Sequence, residues 1–337
     1  MRGTSFVVIG SILGVSSAIL TWVLIHLLRP ALVRYALARP NTRSSHKVPT
    51  PQGGGMAIVI AVTAGILATL AICDDVPNSF FAILGASTVL TVVGAADDII
   101  LLSAPPRLIL QLAAASVVIV TLTSQIRLLP FIPLFVEQVL LVLLLVWFVN
   151  LVNFMDGIDW ITVAEVVPVS AGIAVLAALG LAPPSTFVVA IAIGGATIGF
   201  APFNRPVAKL FLGDVGSLPL GLLLGWQLLV VAGSGHLVAA VLLPLYYLAD
   251  STITLARRMV RRERVWEAHR THFYQRATDR GFTVIDIVAR IFVTNLVLLG
   301  LAIAAATISS TELEIGLLGI GCMAVAVLLR MLSAGKT

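Results

Sequence analysis

The sequence predicts an all-α polytopic membrane protein, a bundle of about 10–11 transmembrane helices with catalytic loops on the cytoplasmic side, forming a single domain over residues 1–337. Three observations predict it. Apolar residues make up 59% of the chain and charged residues 11%, with a mean hydropathy of +1.07, whereas soluble domains carry about 25% charge. Apolar runs of about 20 residues, the length a helix needs to cross a bilayer, recur along the whole chain. These runs lack the alternation of a membrane β-barrel, which leaves helices as the spanning element.

Eleven runs qualify: 6–28, 54–73, 79–96, 107–124, 134–149, 162–180, 185–201, 216–232, 236–255, 284–307 and 312–331. The first is too long for a signal-peptide core and lacks a small-residue cleavage site, so it reads as a retained span. The second opens on Gly53-Gly54-Gly55 and the third ends on Gly94-Ala-Ala-Asp97-Asp98. The fifth runs into Asn150-Leu-Val-Asn153-Phe-Met-Asp156-Gly157-Ile-Asp159-Trp160, and the eighth starts in Phe211-Leu-Gly213-Asp214-Val-Gly-Ser217. Only Gly-Ser-Gly joins the eighth run to the ninth. The pairs Gly10/Gly14, Gly195/Gly199 and Gly221/Gly225 have the small-residue spacing that lets membrane helices approach closely. Cys73 and Cys322 lie in apolar segments without metal-ligand spacing and imply no disulfide framework.

Basic residues set the orientation. Loop 29–53 holds Arg29, Arg34, Arg39, Arg43 and Lys47, and loop 256–283 holds eight arginines. Arg107, Arg205, Lys209, Arg330 and Lys336 fall on the same side, while the other carries Arg2, Arg127, Asp74 and Asp75. This bias puts the amino terminus outside and the carboxyl terminus in the cytoplasm. The net charge of +5 is then a topology signal, and nucleic-acid binding has no support.

Against that background the acidic residues stand out. A carboxylate at the bilayer centre costs roughly 2.5–3.5 kcal/mol on insertion scales. Asp97, Asp98, Asp156, Asp159 and Asp214 nonetheless sit at span ends, all on the predicted cytoplasmic side. A lone aspartate there would mark a helix terminus, but three clusters on one face suit a divalent cation gripping phosphates. Mg²⁺ uses one or two carboxylates and fills its shell with water and substrate phosphates. Either of Asp97 and Asp98 can also act as a general base. If the fifth helix continues through its polar end, Asn150, Asn153 and Asp156 share a face, and Gly157 permits a turn aiming Asp159 at the same pocket. Asp214, flanked by glycines and Ser217 at a helix start, is a metal-ligand candidate beside an anion-favouring terminus. Lys47, Thr50 and Gly54 belong to a loop that can cradle a phosphate through backbone donors. His269, Arg270, His272 and Arg276 offer cationic and planar donors for a diphosphate or sugar, whereas Arg257, Arg258, Arg261 and Arg262 read as membrane-surface charge. Zinc is the weaker reading of His269 and His272, because no cysteine or third histidine stands near. His26, Glu137, Glu165 and Asp286 are expected to reach the water boundary, and Asp250 is a secondary site candidate.

Taken in order, SSHKVPTPQGGG, GAADD, NFMDGID, FNRPVAKLFLGDVGS and HRTHFYQR resemble the polyprenyl-phosphate N-acetylhexosamine-1-phosphate transferases (glycosyltransferase family 4), over nearly the whole chain. The wording resembles most the bacterial branch that starts O-antigen or capsule-type glycans; the consecutive histidines of the peptidoglycan branch are absent. The resemblance implies transfer of an N-acetylhexosamine-1-phosphate, or a modified N-acetyl sugar-1-phosphate, from a UDP-sugar to undecaprenyl phosphate, releasing UMP at a bacterial inner membrane. It implies Mg²⁺, with Mn²⁺ as a substitute, held by Asp214 with Asn153. Asp97 and Asp98 would orient or deprotonate the lipid phosphate, and Asp156 would join them as a catalytic group. Asn153, Asp156 and Asp159 would line the nucleotide-sugar pocket, and Asn150, Thr50, Gly54, Gly213 and Ser217 would bind substrate. Lys47, His269, His272 and Arg276 would neutralise the transferring phosphoryl group, and Arg270 would bind substrate. A homodimer is implied by the resemblance alone.

Two positions depart from the family pattern. Trp160 stands where a glycine commonly follows DGID, so the pocket around base or sugar is expected to differ and the donor need not be plain UDP-GlcNAc. Gln52 stands where a basic residue is frequent. The competing class is a transporter of an anionic substrate, which should gather its charges at the midplane between repeats. A CDP-alcohol phosphotransferase would need four aspartates in one compact run with Ala-Arg between them, which DGID does not continue into.

Overall fold

The computed structural model describes residues 3–38, 49–70, 78–100, 102–124, 126–263 and 269–335. It is an all-helical bundle with thirteen α-helices among those residues and a two-residue β-ribbon. The helices are α1 Gly3–Tyr35, α2 Gly55–Leu70, α3 Asn78–Ile100, α4 Ala104–Thr123, α5 Leu134–Met155, α6 Ile161–Ala178 and α7 Pro184–Phe200. They continue with α8 Asp214–Gly233, α9 Leu237–Leu242, α10 Leu245–Val260, α11 Phe273–Asp279, α12 Val284–Thr307 and α13 Thr311–Ala334. Eight of these are long and apolar enough to cross a membrane, and α2 and α7 are shorter apolar helices. Together these ten agree with the expected count of about 10–11 spans; the ninth run alone is not one continuous helix. There the chain breaks between Leu242 and Leu245, where Pro244 supplies no backbone donor and cannot continue a helix.

Helix α8 is the axis. Every residue from Val215 to Val231 is buried, as expected of a helix apolar on all sides. It packs against α3, α5 and α2, while α1, α12 and α13 stand outside. These outer helices expose Ile12, Val15, Ile19, Val293, Val297, Ile320 and Met323, an apolar surface suited to lipid. The small-residue spacing does its expected work: a Cβ on Gly195 would fall 2.2 Å from the Gly14 carbonyl oxygen, so only glycine lets α7 lie this close to α1.

Two acidic residues expected at the water boundary are buried instead. Glu137 accepts from the backbone N–H groups of Leu128 (2.7 Å) and Leu129 (2.9 Å) and pairs with Arg127. Glu165 of α6 is 2% exposed and accepts from Asn295 of α12 at 2.7 Å. In both cases a neighbouring element supplies donors that hydropathy does not show.

Candidate functional site

The α3 helix runs past its apolar stretch to Ile100, which places Asp97 and Asp98 in its last turn rather than in a loop. Asp98 reaches the start of α8, where its carboxylate accepts from the N–H groups of Asp214 (3.0 Å) and Val215 (3.2 Å). The positive end of a helix favours such a group, and two orphan donors are satisfied. Gly213 makes room: its φ is +78°, and a Cβ there would meet the Asp98 carboxylate at 2.4 Å. Buried Asp97 accepts from Leu102 N–H at 2.6 Å and from Arg107 at 2.6 Å. The same Arg107 nitrogen lies 3.3 Å from Asp214, so one guanidinium bridges two carboxylates.

The α5 helix continues to Met155, as the shared-face reading required, but its polar residues divide. Asn153 donates to both Asp214 (2.8 Å) and Ser217 (2.8 Å) and joins the aspartate group. Asn150 turns to α4 instead, donating to Gln111 at 2.6 Å. Half-buried Asp156 caps α5 and accepts from the Thr162 hydroxyl. Loss of hydration pushes its carboxyl up to about 6, with the Asp159 and Asp98 charges adding to the rise. Buried Asp159 accepts from Ala208 N–H at 3.0 Å. Trp160 takes the left-handed conformation (φ 64°), which explains why glycine suits this position. Its indole donates to the Ala201 carbonyl at 2.7 Å and its N–H to Asn204 at 2.7 Å, so the ring is tied to the end of α7.

The histidine loop packs onto this floor. Tyr274 donates to the Phe154 carbonyl at 3.0 Å, and a Cβ on Gly157 would strike its hydroxyl at 2.1 Å. Burial pushes the Tyr274 phenol well above its usual range. The loop is held from below by Asp250, which accepts from Phe273 N–H (3.0 Å) and Tyr274 N–H (3.3 Å) and lies 3.1 Å from His272 Nδ1. His269 stacks on His272 with centroids 4.9 Å apart. Arg270 turns away, pairing with Asp279 at 3.6 Å. Arg276 lines a cavity of about 210 Å³ with Arg257, Arg258, Arg261, Thr254, Thr271 and the acidic Glu263, which pairs with Arg258 at 3.2 Å. Three arginines read as surface charge thus belong to a shared basic cavity.

At the glycine loop, β1 Leu37–Ala38 pairs antiparallel with β2 Thr50–Pro51. Gly54 N–H donates to Phe211 O and Gly55 N–H to Leu212 O, both at 2.9 Å, so these two amides serve the fold and not a phosphate cradle. A Cβ on Gly55 would fall 2.1 Å from Gly216 Cα; the glycine run lets α2 and α8 start side by side. Gln52 donates to the Asp98 carbonyl at 2.7 Å, tying the loop to α3. Lys47 lies outside the described residues. A second cavity of about 860 Å³ is bordered by Thr50, Ile158, Asp159, Ala208, Lys209 and Arg29.

The donor set can be tested against the divalent cation the motifs imply. Asp97 and Asp214 supply two hard-oxygen carboxylates, the number such an ion takes before substrate phosphates complete its shell, and Arg107, which bridges them here, would have to give way to it. An all-protein cage does not fit: among the described residues no group of three or more His, Cys, Asp or Glu converges to hold a metal. Asn153 gives Asp214 its amide nitrogen and so orients that carboxylate; a ligand role needs its oxygen turned inward.

One residue of this arrangement escaped the sequence reading, and a second was underrated. Arg107 read as a topology charge, yet it neutralises the aspartates; its place three residues into α4 was the available signal. Asp250, read as a secondary candidate, is the support of the whole histidine loop.

Residues 80–232, the stretch that holds all five aspartates, match the family model described as Glycosyl transferase family 4. A decaprenyl-phosphate N-acetylglucosaminephosphotransferase of Mycolicibacterium smegmatis is 29% identical over 66% of this chain and 60% of its own length. A probable undecaprenyl-phosphate N-acetylglucosaminyl 1-phosphate transferase of Bacillus subtilis is 25% identical over 74% of this chain and 71% of its own. A phospho-N-acetylmuramoyl-pentapeptide-transferase of Enterococcus faecalis is 37% identical over 28% of this chain and 32% of its own. The chain thus spans about 60% of the length of the mycobacterial relatives it matches.

Proposed function

We propose that this chain transfers an N-acetylhexosamine-1-phosphate, or a modified N-acetyl sugar-1-phosphate, from a UDP-sugar to undecaprenyl phosphate, releasing UMP. The lipid-diphospho-sugar formed would start a cell-surface glycan at the cytoplasmic face of a bacterial inner membrane. The observation that carries this reading is the meeting of Asp97, Asp98, Asn153, Asp156 and Asp214 at one end of a membrane bundle. There a phosphate head group can be handled while its apolar tail stays in lipid. The names of the relatives support the reaction class, and the NFMDGID wording supports the surface-glycan branch.

The residues divide the work. Asp214 and Asp97 would hold Mg²⁺, which supplies charge neutralisation on the donor diphosphate when bound. Asp98 fixes the start of α8, and with both oxygens engaged by N–H groups it is a poor base. Asp156 accepts only from Thr162 among the described residues, which leaves an oxygen for the proton of the lipid phosphate. The attacking phosphate oxygen bonds the β-phosphorus as the bond to the UMP oxygen breaks. The cavity beside Asp159 and Lys209 offers room for the nucleotide-sugar. Arg276 would face the transferring phosphoryl group, on a loop that buried His272 and Asp250 brace. Such catalysis is mainly positioning and electrostatics.

Purified protein with undecaprenyl phosphate, Mg²⁺ and a panel of UDP-N-acetyl sugars should release UMP with at least one donor and lose that activity with EDTA. UMP release that is absent with every donor from folded protein overturns the proposal.

A further inference from the structure

Beneath Asp156 lies a buried polar column that the transfer chemistry above does not use. Glu165 sits one turn below Thr162 on α6 and is 2% exposed. One of its oxygens accepts from Asn295, whose amide also donates to the Ala164 carbonyl at 2.9 Å. Its other oxygen, the Asn295 carbonyl oxygen and the Tyr247 hydroxyl are all buried without a hydrogen-bond partner. Tyr247 of α10 stands beside Thr162 and within electrostatic reach of both Glu165 and Asp156. Among the described residues Tyr246 also lies within electrostatic reach of Glu165; α7, packed against α6, carries no titratable group, and α12 carries Asp286 and Arg290 in its first two turns.

The donor inventory gives this column a direction. Thr162 donates its only hydroxyl proton to Asp156, so its lone pairs are left to accept, and Tyr247 is the hydroxyl beside them. Tyr247 can then accept in turn, directly or through one buried water, from a carboxylic acid at Glu165. No cation pairs with Glu165 among the described residues, and an isolated buried carboxylate is costly. A proton on Glu165 would let each donor of such a chain point toward Asp156, of which the Thr162–Asp156 bond is the one already made.

We propose that Glu165 is a positioning residue for the transfer reaction: it keeps a proton at the foot of the Tyr247–Thr162 column and so holds Asp156 as the carboxylate. The inference rests on Asp156 serving as base. In the step itself the proton of the lipid phosphate monoanion passes to Asp156, the new oxygen–phosphorus bond forms, and the leaving electron pair stays on UMP. Glu165 keeps its own proton throughout, and Asp156 returns the substrate's proton to solvent, one per UMP.

The test uses Glu165→Gln, which stays neutral and can still donate, and Glu165→Leu, which cannot. In full-length protein, E165L should lower kcat about tenfold or more, within the range for impaired general-base catalysis, and move the acid limb of kcat upward in pH. Loss of the Glu165 proton at high pH should lower wild-type kcat, whereas E165Q should keep activity within a few-fold of wild type and lack that alkaline fall. If the E165Q and wild-type pH profiles superimpose on both limbs, the proposal fails while the transferase reading stands. An infrared readout decides the case without turnover. Wild type should show a protonated-carboxyl band at neutral pH that is absent in E165Q and that shifts in Asp156→Asn. Absence of that band from wild type, or its indifference to Asp156→Asn, overturns the proposal even if no UDP-sugar is turned over.

Discussion

Two carboxylates in this protein cap helices to which they do not belong. Asp98 of α3 takes the first N–H groups of α8, and Asp250 of α10 takes those of α11. The device is the same, an anion at the positive end of a helix, but the surroundings differ. Asp98 is half-buried among Asp97, Asp156 and Asp214, and the helix it fixes begins with Asp214 itself. Asp250 is fully enclosed by Tyr246, Thr254 and His272. The first cap therefore sets the geometry of an open floor, and the second braces a closed wall. Residues 80–232, the part that matches the family model, contain the floor; Asp250 and His272 lie beyond it.

That contrast can be broken at either end. Asp214→Asn should cut UMP release by about 10²–10³, the size of losing one preorganised electrostatic group, while the thermal melt stays near wild type. A mutant with full activity would remove the floor from the mechanism. Asp250→Ala should act on stability first. It strands two N–H groups and His272 without an acceptor, for a loss of about 3 kcal/mol or more, read as a lowered Tm in detergent. An unchanged Tm would show that the wall does not need its brace.

Smaller effects sharpen the comparison. With its carboxyl pushed up to about 6, Asp156 should set an acid limb, with kcat/KM falling as pH drops through that value, absent in Asp156→Asn. Stability should run the other way. Its carboxyl is raised from 3.8 in the folded state, so its contribution is full below that value and is lost as pH rises through about 6. Melts of wild type and Asp156→Asn across this window should diverge accordingly. Trp160→Gly should matter least. It relieves a left-handed residue, for about 1–2 kcal/mol, and gives up one indole hydrogen bond, so Tm and donor preference should stay near wild type. A changed donor preference would mean that the indole shapes the pocket from a distance.

Hydropathy and motif order were enough to read the membrane class, the long spans and the gathering of acidic clusters at one end. The tenth run was read as 284–307, and α12 spans Val284–Thr307. These features are local: an apolar stretch must become a helix in lipid whatever its neighbours are. Which polar groups meet was decided by the tertiary structure. Asn150 and Asn153 share a helix face, yet one turns to Gln111 and the other to Asp214. Arg107 looked like a topology charge until α4 carried it between two aspartates. Glu137 and Glu165 looked like water-boundary residues until partners 8 and 130 positions away supplied their donors. Sequence by itself determines which segments must avoid water, because that cost belongs to each residue alone. The partner of a buried charge is a property of two elements brought together, and only the packed bundle decides it.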